Sequence, residues 1–357
     1  MTRRVRIGLL LAGIVVYGLI LSAVGLDTLV DNLRQAGWSL LPVLGVYAIV
    51  YGFYNAAWMV LLLDEPRRPG FWASFAITTS AFGINYITPV VNAGGEPYRA
   101  AATAAWTGTR RATGATVLYY LLHALSSFAL WLAALIAGLM VLPRTAWHLS
   151  GIVILSVAIL GLAILVLSAH RRGVLEAVLN LLHRIPGLRR LGSVLEQHRG
   201  SLVEMDVQIR QFWHERPGRF AAAFGLECAG RGVQVLEFWL ICRGVGVEIS
   251  YAEALCMGGL AALALNAFFF MPFELGSKEG SMIGIFLALG YSAPLAVYAS
   301  VVSRLRELAW IGIGLALMTG GGPEPVVPGG SILSLRPDGK GPEPDPVPVA
   351  LATPPPP

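Results

Sequence analysis

Charged side chains are scarce in this chain, and lysine is almost missing. Only 13% of the 357 residues are charged, against roughly 25% in an ordinary soluble protein. Lys278 and Lys340 are the only lysines, so the rest of the basic complement is arginine. That bias accompanies abundant alanine, glycine and proline and reflects composition. No basic tract is interleaved with aromatics, so the net charge of +5 does not point to nucleic acid. Cysteine is nearly absent too. Cys228, Cys242 and Cys256 lie in or beside apolar segments with no CxxC spacing, and they read as small packing residues, not as a disulfide or metal framework. Nucleophile–base pairings, nucleotide loops and metal-ligand clusters are lacking as well. The expectation is a chain that is not an enzyme and needs no cofactor or metal.

What the chain has in quantity is apolar sequence. Hydrophobic residues make up 55%, and the mean hydropathy is +0.66. Apolar segments fall at about 7–25, 40–63, 71–88, 93–106, 113–142, 149–169, 219–242, 252–271, 273–290 and 294–318. Runs of about 18 residues suffice to span a bilayer, so the fold class expected is an all-α polytopic membrane protein. Segment 7–25 is longer than a signal-peptide core and reads as a retained first helix.

Basic residues set the orientation. Arg3, Arg4, Arg6, Arg67, Arg68, Arg110 and Arg111 share one side with the arginines of the long loop 170–218, while Arg34, Arg144 and Arg243 fall on the other. The first side is assigned to the cytoplasm, which puts the N-terminus and the C-terminal tail there, in a cell (inner) membrane. Within the long loop Leu191, Leu195, His198, Leu202, Met205, Ile209 and Phe212 form one helical stripe, suited to the membrane interface or the bundle. From 320 onward proline dominates, and a disordered tail is expected.

Two stretches interrupt the apolar pattern. "NYITPVVNAGGEPYR" (85–99) places helix breakers and charges where both flanking loops are basic, so the chain must leave and return to one face. "NAFFFMPFELGSKEG" (266–280) does the same in the second half, with Pro89 to Glu96 and Pro272 to Glu279 equally spaced. The order of spans around the two breaks also repeats, from opposite sides. This predicts two inverted-topology repeats, 1–145 and 146–319, each with a re-entrant or broken helix pair, followed by the 320–357 tail. Such repeats place a site where discontinuous helices meet.

Ionisable residues inside a membrane usually face a partner or a wet cavity. The candidate binding residues are Asn85, Gly94, Gly95, Glu96 and Arg99 at the first break, and Asn266, Gly276, Lys278 and Glu279 at the second. Glu96 and Arg99 are spaced to pair along one helix turn; Lys278 cannot easily satisfy its neighbour Glu279 and must reach elsewhere. Helix N-termini after the glycines suit an anionic group. Internal ion pairs are expected for Glu227 with Arg231 and for Arg304 with Glu307. His123 reads as a packed histidine before a proton relay.

With these residues in view, the sequence resembles the lysylphosphatidylglycerol synthase transmembrane-region family, also called flippase-like domain proteins. Asn85, Pro89, Gly94, Gly95, Glu96 and Arg99 carry the main element, and Pro272, Gly276 and Glu279 a weaker second one. The resemblance spans roughly residues 5–320. It implies movement of phospholipids between leaflets, with a membrane lipid bearing an anionic or amine-containing headgroup as partner. The best-known members add a soluble aminoacyl-transferase domain; here only the tail follows residue 320, so that enzymatic half is not expected. The alternative is a non-transporting membrane partner of a lipid-biosynthesis enzyme or glycosyltransferase.

Overall fold

The structure, a computed structural model, describes residue 34 and residues 37–87, 94–172, 215–267 and 277–319. The first apolar segment, the striped loop with His198, the proline-rich tail, and residues 88–93 and 268–276 of the two break sequences, Gly276 among them, lie outside the described residues.

All regular structure among the described residues is helical. A 3₁₀ turn, Gly37–Ser39, leads into α1 (Leu40–Leu61). Then come α2 (Phe71–Ile87), α3 (Gly95–Thr107), α4 (Thr109–Val141) and α5 (Ala146–Arg172). The second half holds α6 (Pro217–Gln234), α7 (Leu236–Gly244), α8 (Tyr251–Ala267), α9 (Ser277–Ala288) and α10 (Ala293–Thr319). Three helical stretches, Leu40–Leu61, Thr109–Val141 and Ala146–Val166, are long and apolar enough to cross a membrane. By contrast α3 and α9, with 13 and 12 residues, reach only about 20 Å at 1.5 Å per residue. That is short of a hydrocarbon core of about 30 Å.

The segment expected at 219–242 is divided. Val235 separates α6 from α7, although its N–H still reaches the Arg231 carbonyl at 3.3 Å. The chain therefore continues in nearly the same direction.

Lipid tails are as apolar as leucine, so helices in a bilayer associate through close packing of small residues and polar contacts across the interface. Two such crossings organise the bundle. At one, α2 lies on α10: the Ser80 hydroxyl donates to the Gly314 carbonyl at 2.7 Å, and a Cβ on Gly314 would sit 2.8 Å from the Thr79 carbonyl oxygen. At the other, α8 lies on α4, where a Cβ on Gly259 would come within 2.3 Å of the Ala134 methyl. Helix α1 packs on α6, with Gly230 against Tyr54. The packing is reciprocal: the first helix of each broken pair lies against the final long helix of the other half.

Candidate functional site

Between these crossings lies a cavity of about 450 Å³. Of the predicted residues, Asn85, Glu96 and Arg99 from the first break and Asn266 and Lys278 from the second line it. The structure thus brings the two interrupted regions to one chamber. Gly94 and Gly95 are not on its wall, and neither is Glu279.

Gly95 has a packing role instead. A Cβ there would lie 2.1 Å from the Ala81 carbonyl oxygen, so only glycine lets α3 approach α2 this closely. Its N–H donates to Asn85 Oδ1 at 2.6 Å. That N–H is engaged within the protein. Asn85 Nδ2 in turn donates to Glu96 Oε1 at 3.0 Å. One asparagine on α2 therefore fixes both the start of α3 and its first carboxylate.

The expected Glu96–Arg99 pair does not form. Glu96 turns towards Asn85, while Arg99 is buried among aromatic rings, its guanidinium 4.0 Å from the Tyr119 ring centre, 5.1 Å from Trp58 and 5.8 Å from Phe82. A guanidinium is weakly hydrated and stacks well on such faces. Even so, Arg99 Nη1 and Glu96 Oε2 are buried with no hydrogen-bond partner. Unpaired buried polar atoms are costly, and here they sit three residues apart on a cavity wall.

Lys278 does reach elsewhere, donating to Glu307 Oε1 at 2.5 Å. Beside it stands a pair that sequence reasoning missed. Arg306 on α10 grips Glu237 on α7 through Nε at 3.1 Å and Nη2 at 3.0 and 3.1 Å. The Tyr47 hydroxyl donates to Glu237 Oε2 at 2.8 Å, and the Arg306 guanidinium lies 3.7 Å from the Tyr47 ring centre. Arg306 Nη1 is buried without a partner. Glu279 pairs with Arg304 at 2.7 Å, so the strong partners of Arg304 and Glu307 come from α9, not from each other. The Asn266 side chain donates to the Ala262 carbonyl at 2.8 Å.

A third polar cluster occupies the α4–α6 wall. Glu227 and Arg231, expected to pair directly, are joined through His123. His123 Nδ1 lies 2.8 Å from Glu227 Oε2 and its Nε2 lies 3.0 Å from Arg231 Nη2. Arg231 also donates to Ser127 Oγ at 2.6 Å and to Ser126 Oγ at 3.3 Å. Its guanidinium faces the Tyr54 ring at 5.9 Å. The missed signal was a spacing: Tyr47, Tyr51 and Tyr54 form one face of α1, and two of these rings each carry an arginine. Arg231, Gln234 and Glu237 likewise recur every three residues on the cavity side of α6 and α7.

The cavity carries charges of both signs and is lined from both interrupted regions. The family model described as lysylphosphatidylglycerol synthase TM region matches residues 5–315. The chain belongs to the lysylphosphatidylglycerol synthase transmembrane-region family. Comparison with curated proteins and with solved structures gives no match. Membership of this transmembrane-region family gives the chain a role connected with membrane lipid, and the apolar helices make it an integral membrane protein.

Proposed function

We propose that the protein translocates a phospholipid or glycolipid, passing the headgroup through the cavity while the acyl chains remain in the bilayer. The observation that carries this reading is the set of unsatisfied atoms on the wall: Nη1 of Arg99 and of Arg306, and Oε2 of Glu96. Two guanidinium donors suit the oxygens of a phosphodiester. The free carboxylate oxygen suits a donor on the same headgroup, an ammonium or a hydroxyl. The proposal assigns no group transfer to this chain.

The reciprocal packing of α2 on α10 and of α8 on α4 supports two inverted repeats with their broken pairs meeting at the site. In such an arrangement the two halves exchange roles as the chamber opens to one leaflet and then the other. The arginine-rich side is assigned to the cytoplasm of a bacterial inner membrane, on the strength of loop charge.

The test is reconstitution of the full chain in vesicles of phosphatidylethanolamine and phosphatidylglycerol carrying a fluorescent phosphatidylglycerol. Lipid movement that falls in Arg99→Ala and Glu96→Gln, with unchanged melting in detergent, supports the site. Equal movement in both variants overturns it. A chain that binds this lipid yet leaves it in its own leaflet would instead be a non-transporting partner of a lipid-biosynthesis enzyme.

A further inference from the structure

The His123 cluster sets one imidazole ring between a carboxylate and a guanidinium. Arginine has no acceptor, so the 3.0 Å contact from Arg231 Nη2, which also donates to the His123 carbonyl at 3.2 Å and to Ser127 Oγ at 2.6 Å, suits an unprotonated Nε2. An ionised carboxylate has no donor, so the 2.8 Å contact to Glu227 Oε2 requires the proton on Nδ1. These contacts match a neutral imidazole with its single basic site aimed at a cation. It is also reachable: the side chain is 23% exposed and lines the cavity.

We propose that His123 Nε2 is a proton-binding site linked to anion binding in the cavity. This rests on the lipid-translocation reading and adds a second, ionic substrate to it. A proton arriving from water in the chamber takes the Nε2 lone pair, while the Nδ1–H bond to Glu227 persists. The Arg231 Nη2 contact to Nε2 is then replaced by two donors facing each other, and the guanidinium turns from the ring towards the cavity. There it can hold the anionic oxygen of a headgroup. By reciprocity, an anion that engages Arg231 raises the proton affinity of His123, and acidification tightens anion binding.

The other groups facing the ring favour this assignment. From α6 come Glu227 and Arg231; from α1, Tyr54 at 5.2 Å; from α4 itself, Tyr119 at 6.0 Å; from α2, the uncharged Phe82 at 5.5 Å. Arg99 on α3 is the further cation acting on it. Glu227 is fully buried and has one oxygen, Oε1, without a partner. Its single negative charge, opposite Nδ1, faces the imidazolium once Arg231 has turned away.

His123→Gln tests the idea, because glutamine can accept from Arg231 and donate to Glu227 but cannot titrate. In the vesicles described above, wild-type lipid movement is expected to rise on acidification from about pH 8, by at most about tenfold per pH unit, the limiting response of one proton, and to level off once the imidazole is protonated, above about pH 5. H123Q is expected to give one rate across that range. A wild-type pH profile retained in H123Q overturns the proton site. If wild type moves no lipid at any pH, the transport reading falls, and the proton site is read separately. For that, ¹⁵N-histidine spectra of the full chain are recorded in phosphatidylglycerol and in phosphatidylcholine nanodiscs, with H123Q identifying the signal. The expected result is an Nδ1–H tautomer at about pH 8 that becomes imidazolium on acidification, at higher pH in phosphatidylglycerol. A ring that stays neutral to about pH 5, or titrates identically in both lipids, overturns the inference.

Discussion

Arg306 and Glu237 share three hydrogen bonds of 3.0–3.1 Å between α10 and α7, and both are almost fully buried. The pair ties the long final helix to the short one that follows the interruption at Val235. Tyr47 closes it from a third helix, so the position of α1 is linked to both.

Removing one member of such a pair leaves an uncompensated charge in a medium that solvates it poorly, which costs about 3–5 kcal/mol. Glu237→Gln is accordingly expected to lower the melting temperature in detergent sharply. The double variant E237L/R306M should recover most of the loss, because an apolar pair leaves no charge unmatched. Recovery of melting without recovery of lipid movement would separate the structural role of the pair from its role in the chamber.

At Arg99 the relevant contrast is between two cations. Lysine keeps the charge but cannot stack flat on Tyr119 or present a planar fork. Arg99→Lys is expected to reduce lipid movement at least tenfold, and Arg99→Ala to abolish it. A lysine variant with wild-type transport would show that charge alone is used there.

The glycines make a prediction about packing. Gly95→Ala puts a methyl 2.1 Å from the Ala81 carbonyl, and Gly314→Ala puts one 2.8 Å from the Thr79 carbonyl. Overpacking of this kind costs about 1–3 kcal/mol. Gly284→Ala, with nothing within 4 Å of the new atom, should be neutral or gain up to about 1 kcal/mol from helix propensity. Thermal unfolding of the three variants in one detergent distinguishes them.

Just beyond α1, Asp64 forms ion pairs with Arg216 and, at 2.6 Å, with Arg219. All three side chains are more than a third exposed, and exposed pairs of this sort contribute about 0–1 kcal/mol. Asp64→Asn should shift melting only slightly, and the shift should vanish in high salt.

How much of this was legible beforehand differs between levels. The apolar segments gave the helices, because spanning length is a local property of sequence. Asn85, Glu96, Arg99, Asn266 and Lys278 were found because breakers and charges in an apolar run are conspicuous. Partner choice was not local. Glu96 with Arg99, Glu227 with Arg231, and Arg304 with Glu307 all have the spacing of intrahelical pairs. The structure gives Glu96 to Asn85, sets His123 between Glu227 and Arg231, and gives Arg304 and Glu307 to α9. Spacing along one helix shows which side chains are near each other; only the crossings decide which neighbour offers the better geometry. Glu237 and Arg306 were passed over for the same reason, since their sixty-nine-residue separation leaves no trace in a helical wheel.

The chamber wall carries the cations Arg99, Arg231, Lys278 and Arg306, set against Glu96, Glu237 and Glu307 on the wall and Glu227 directly behind it. With His123 neutral these charges balance, so the polar interior has no net charge for the membrane potential to act on. Each uncompensated charge carried across the full field would be worth about 2.3 kcal/mol per 100 mV. At rest the chamber is electrically silent. Voltage acts on it only when a charged headgroup enters or a proton settles on His123.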